Sequence, residues 1–167
     1  MNKLLKQMLW VGACVFALTG PAMADSLTDA NRVYESGDYE KAAKLYGALA
    51  KKGNVEAQYN LGIMHRAGRG VPRDMNEAKK WYLLAAEQGH ALAQFNLGWM
   101  YASGKGAPQD NVRSHMWFNI AIANASSEAK PEFIVDRDAL AKSMSAEQIA
   151  KARAFSKKCT AKKFKGC

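Results

Sequence analysis

Small and apolar residues recur along this chain three and four positions apart, in sets separated by glycine-rich breaks. Ala57, Leu61 and Met64 form one set, and Ala78, Trp81, Tyr82 and Ala85 form the next. That spacing puts each set on one face of an α-helix. Between them lies Gly68-Arg69-Gly70-Val71-Pro72-Arg73. Its glycines suit left-handed helix caps, and its proline stops continuation of the helix. Asp74, followed by Glu77, then opens the second helix with a capping signal. The pattern predicts a helix–turn–helix unit.

The unit recurs at a fixed period. Ala57, Gln58, Asn60, Leu61 and Gly62 return 36 positions later as Ala93, Gln94, Asn96, Leu97 and Gly98. Trp81 and Ala85 return as Trp117 and Ala121. The turn returns as Gly104-Lys105-Gly106-Ala107-Pro108-Gln109. Asp110 keeps the cap, although Arg113 replaces the glutamate. A repeat of this length marks a solenoid of stacked supersecondary units. Gly62 and Gly98 fall inside the first helices, where glycine costs about 1 kcal/mol relative to alanine. The expected compensation is a helix–helix approach too close for any side chain. Half a repeat comes earlier: Ala42, Tyr46, Ala50 and Gly53 match Ala78, Tyr82, Ala86 and Gly89, after a shorter turn at Glu35-Ser36-Gly37-Asp38.

The pattern A-x-x-x-L-G-x-x-Y-x-x-G-x-G-x-x-x-D, continued by W-Y-x-x-A-A-x-x-G, resembles the Sel-one-like repeat, a relative of the tetratricopeptide repeat. His65 departs from it, because Tyr101 has no aromatic counterpart there. The resemblance covers residues 27 to about 124. It implies an all-α, right-handed α/α superhelix with repeats at about 27–54, 55–90 and 91–126. It also implies a scaffold for protein–protein interaction, and it leaves the partner open. In the arrays it resembles, the first helix of each unit lines a concave groove. The groove positions would then be Tyr59, Asn60, Ile63 and Arg66, followed by Phe95, Asn96 and Trp99. Aromatics not used in internal packing are typical binding anchors, and the two asparagines could hydrogen-bond an extended peptide. Tyr59 and Phe95 can equally be read as packing between repeats. Trp81, Tyr82, Trp117 and Phe118 read as core of the second helices.

Beyond the repeats, Phe133, Val135, Leu140 and Ala141 continue a helical pattern, and Ser145 with Gln148 forms a capping box. Two helices within 127–158 would cap the solenoid, whose ends need one polar face.

The N-terminus and the charge place this body in a compartment. Lys3 and Lys6, an uncharged apolar stretch from Met8 to Leu18, and Ala22-Met23-Ala24 are ordered as in a secretory signal peptide spanning residues 1–24. The apolar run is too short for a membrane span. Val11-Gly12-Ala13-Cys14 loosely resembles a lipid-attachment box, but the apolar run continues past it to a better cleavage site. The expected location is the periplasm or the exterior. Losing Lys3 and Lys6 takes the net charge from +9 to +7. Residues 25–150 balance 15 Lys/Arg against 15 Asp/Glu. The surplus therefore lies in 151–167, with Lys151, Arg153, Lys157, Lys158, Lys162, Lys163 and Lys165 and no acid. Such a tail attracts anionic envelope polysaccharide, lipid or cell wall. It equally suits the negative end of a helix macrodipole. Cys159 and Cys167, within the basic tail at 159–167, are the pair left after cleavage. In an oxidising compartment an even pair reads as a disulfide, worth roughly 2–3 kcal/mol for a loop this short. A metal or redox pair fits poorly, without C-x-x-C or a nearby histidine.

Catalytic signals are scarce. The sequence holds no G-x-S-x-G elbow, no Walker A loop and no dinucleotide fingerprint. Gly68-x-Gly70 and Gly104-x-Gly106 recur with the repeat and read as turns, not phosphate cradles. Arg66, Arg69 and Arg73 read as a solvated loop. His65, His90 and His115 stand apart from one another and from cysteine, so no metal site is expected. His90, after a helix-ending glycine, reads as a surface residue. Met64, Met100, Met116 and Met144 read as core filling. No enzyme activity and no cofactor are expected. The partner would be a protein or peptide, not nucleic acid.

Overall fold

The computed structural model describes residues 26–167. The signal-peptide reading of residues 1–24, with Cys14 in it, lies outside the described residues. Among the described residues eight α-helices follow one another: α1 (Leu27–Glu35), α2 (Tyr39–Lys51), α3 (Val55–Ala67), α4 (Met75–Ala86), α5 (Ala91–Ser103), α6 (Asn111–Asn124), α7 (Lys130–Ala141) and α8 (Ala146–Ala161). No strand occurs among the described residues. Each helix from α1 to α6 packs on the next in the chain, α7 continues onto α6, and α8 also packs on α6. The architecture is an α/α solenoid.

Helix boundaries follow the sequence signals. Asp38, Asn54, Asp74, Asp110 and Ser145 each accept a backbone N–H at a helix start, satisfying donors the helix itself cannot. Ser145 and Gln148 form the full capping box. Gly68 and Gly104 end α3 and α5 in the left-handed conformation, at φ 71° and 70°. The helix α8 runs past residue 158 to Ala161, so Cys159 sits in its last turn. The tail beyond it turns back through two left-handed residues, Lys163 (φ 51°) and Phe164 (φ 65°). Phe164 thereby packs on the buried cluster built by α4, α5 and α6. The sulfurs of Cys159 and Cys167 lie within disulfide distance, with Cα atoms 5.7 Å apart. The tail is thus part of the cap and not a free arm.

The tightest packing lies where the mid-helix glycines predicted it. A Cβ on Gly62 would stand 2.6 Å from the Tyr82 ring, and one on Gly98 would stand 2.6 Å from the Phe118 ring. In these two pairs α4 and α6 therefore press an aromatic face against bare backbone. Tyr82, Trp117 and Phe118 are fully buried, and Trp81 is half-buried. Met64, Met100 and Met116 are core.

A second repeated device is polar. Gln58 Nε2 donates to the Ala50 carbonyl at 3.1 Å, and Gln94 Nε2 donates to the Ala86 carbonyl at 3.0 Å. The Gln58 and Gln94 oxygens accept from Gln88 at 2.8 Å and from Asn124 at 2.9 Å. Both glutamines are buried. Each ties the helix that ends one repeat to the helix that opens the next, with its amide satisfied on both sides, as burial requires.

The glycine contact sets a test. Gly98→Ala would gain about 1 kcal/mol of helix propensity. The Phe118 ring cannot yield, being buried and packed 5.2 Å from the Phe95 ring centre. Net destabilisation of about 1–2 kcal/mol is expected by denaturant unfolding. Phe118→Leu should cost less in the Gly98→Ala background than alone. Neutral Gly98→Ala would show that the approach is loose.

Candidate functional site

One face of α5 carries Asn96, Trp99, Met100 and Ser103, spaced i, i+3, i+4 and i+7. This stripe forms one side of a cleft of about 320 Å³. Arg66 and Ala67, from the last turn of α3, face it. Met75 and Tyr82 of α4 contribute to its wall, and the inter-helix turns add Arg73 and Lys105. Trp99 is 51% exposed, the most open aromatic ring among the described residues. Nothing from the C-terminal tail lines the cleft.

Of the seven groove positions expected from the sequence, the cleft brings together Arg66, Asn96 and Trp99. Asn60 is half-buried and outside its lining. Ile63 packs against the central core. Tyr59 and Phe95 need correction as open anchors. The Tyr59 ring stacks on His90 at 4.4 Å and lies 5.9 Å from Tyr82. Burial pushes its hydroxyl pKa up, partly offset by a hydrogen bond with Asn96 and by Arg66. Phe95 stacks on Phe133 of α7 at 4.2 Å. These rings are spent on packing between repeats and against the cap.

His90 is likewise not a surface residue. Its Nδ1 accepts the Ala93 N–H at 3.2 Å as the cap of α5, and its Nε2 reaches Glu56 at 3.2 Å. Asn54, one repeat earlier, does the same capping for α3. That equivalence was the available signal. The arginine cluster divides. Arg69 donates to the Tyr34 hydroxyl and lies over the Tyr39 ring at 5.6 Å, while Arg66 and Arg73 join the cleft. Sequence reasoning missed Arg73, Lys105 and Tyr82 as cleft residues.

Among the described residues no group of three His, Cys, Asp or Glu could hold a metal ion. No helix among them is long and apolar enough to cross a membrane.

A solenoid with one open stripe on its first helices is the form of a helical-repeat binding protein. The chain belongs to the Sel1 repeat family, whose repeat matches residues 33–54, 55–90 and 91–126. Proteins built on this repeat act as protein-interaction scaffolds, on a fold that is non-catalytic. No curated protein matches the chain. Solved structures similar to it include the following two. One is c5321, a protective antigen present in uropathogenic Escherichia coli strains displaying an SLR fold. It is 28% identical with a TM-score of 0.73, over 82% of this chain and 30% of that one. The other is a Sel1 repeat protein from Oxalobacter formigenes, 25% identical with a TM-score of 0.57, over 85% of this chain and 67% of that one. This chain therefore spans under a third of the antigen's length.

His115 titrates against the cap. It is buried on α6, and Nδ2 of Asn119 donates to its Nδ1 at 3.0 Å. Burial lowers its pKa below 6.5, reinforced by Arg137 of α7 and Arg153 of α8 and opposed by Asp138. The folded state thus binds this proton less readily than the unfolded chain. The resulting stability is complete above about pH 6.5 and is lost as pH falls below that value. Thermal melting at pH 5 and pH 7.5 should show the drop, and His115→Gln should flatten it. An unchanged pH profile in that variant would remove His115 as the cause.

Proposed function

We propose that this chain is an exported scaffold that holds a protein or peptide in the cleft between α3 and α5. The observation that carries the reading is Trp99, a large ring left half in water on the stripe that faces the cleft. Aromatic anchors of this kind, set in a lined cleft, dominate binding energetics. Asn96 stands one turn before it and supplies amide hydrogen bonds beside the anchor. The groove comprises Arg66, Asn96 and Trp99, with Asn60 at its margin.

Trp99→Ala should abolish or strongly weaken partner capture by affinity purification. Unfolding free energy should stay within about 0.5 kcal/mol, as for an exposed position. A large loss of stability would make Trp99 a core residue and sink the reading.

Export is supported by the order of charge, apolar run and Ala22-Met23-Ala24 in the first 24 residues, and by the pairing distance of Cys159 and Cys167. Intact mass of the protein recovered from the periplasm should correspond to a chain starting at Asp25 with both cysteines oxidised. A full-length, reduced chain retained in the cytoplasm would contradict export and the disulfide together.

A second reading, envelope binding through the basic tail, has one observation behind it. Arg113, Lys158 and Lys162 line a smaller cleft of about 200 Å³ beside Phe155. Its test must replace charges and not delete the tail, because Cys159 and Phe164 belong to the core. Loss of envelope binding in Lys157→Gln/Lys162→Gln/Lys165→Gln, with a steep salt dependence, would favour the tail.

A further inference from the structure

We propose that the cleft between α3 and α5 selects an acidic peptide segment, with an apolar side chain on Trp99 and carboxylates facing Arg66, Arg73 and Lys105. The proposal rests on the scaffold reading and specifies the chemistry of its partner.

Three cations line this one cleft, and no carboxylate is among its lining residues. Composition does not explain that, since residues 25–150 balance their charges. The nearby acids are committed elsewhere. Asp74 accepts the backbone N–H groups of Asn76 and Glu77, and Glu77 pairs with Lys80. The side chains of Arg66 and Lys105 make no ion pair or hydrogen bond among the described residues. Arg73 donates Nε to the Arg66 carbonyl at 3.2 Å. That bond anchors the guanidinium and leaves its terminal N–H groups without a partner among the described residues. Arg69 shows the contrast, since the Tyr34 hydroxyl and the Tyr39 ring face occupy its guanidinium.

Guanidinium groups bind carboxylates through paired, charge-assisted hydrogen bonds. Tyr82 closes part of the cleft wall; it is fully buried, and its hydroxyl has no hydrogen-bond partner among the described residues. Burial raises its pKa, so it adds no negative charge to the cleft. Trp99 and Met100 give the apolar counterpart. Cations around an apolar anchor thus match a segment that alternates acidic and apolar residues.

The test is fluorescence anisotropy with the purified full chain and three short fluorescein-labelled peptides, alternating Leu with Glu, Gln or Lys. The Glu peptide should bind about tenfold or more tighter than the Gln peptide, weakening as salt rises. Arg66→Glu/Arg73→Glu should weaken it by about tenfold or more, with an unchanged melting temperature. Lys157→Gln/Lys162→Gln/Lys165→Gln should leave it unaltered. Equal binding of the Glu and Gln peptides would overturn the acidic preference, as would loss of binding in the tail variant alone. No measurable binding of the Glu peptide at low salt would also overturn it. The scaffold reading is scored separately, by partner capture with Trp99→Ala.

Discussion

The contact between a bare helix backbone and an aromatic ring governs the geometry of the two full repeats. Gly62 under Tyr82 and Gly98 under Phe118 bring the α3/α4 and α5/α6 pairs closer than any side chain would allow. The contact also sets how each first helix is rotated. With about 100° per residue, placing Gly98 against α6 turns Asn96, Trp99, Met100 and Ser103 to the far side of α5. That side faces the preceding repeat and forms the cleft. The position that costs helix propensity therefore decides which stripe stays open.

The stacking of repeats is held by a different chemistry. Gln58 and Gln94 bridge from the end of one helix pair to the start of the next, with both ends of the amide satisfied. The turns add to this. A Cβ on Gly70 would strike the Tyr39 carbonyl, and one on Gly106 would come within 2.6 Å of the Met75 carbonyl. Each turn thus lies on the first residue of the second helix one repeat back. The array ends where α7 spends Phe133 on Phe95, and where α8 and the folded-back tail close over α6.

Much of this was legible in the residues. A single period identified the helix pairs, the caps at Asp74 and Asp110, and the reason for Gly62 and Gly98. The cleft was legible only in part. Rotation of a first helix can be counted from its glycine, which is why Trp99, Asn96 and Arg66 were found. Tyr59 and Phe95 depend on their neighbours. His90 and Tyr82 cover the one, and Phe118 and Phe133 cover the other. Phe133 lies outside the repeat, so no period could announce it. Arg73 and Lys105 belong to turns, and a linear pattern does not say which way a turn residue leans. His90 was misread because glycine before it suggested a loop. Its equivalence to the capping Asn54 held the better clue.

The α5 stripe is the working surface in this reading, and the second helices are packing. Site-specific photo-crosslinking compares the two directly, with one probe at position 99 and another at position 84, where Leu84 is also exposed on α4. A partner should be trapped from position 99 and none from position 84. Trapping from position 84 with nothing from position 99 would contradict the assignment of the stripe as the binding surface.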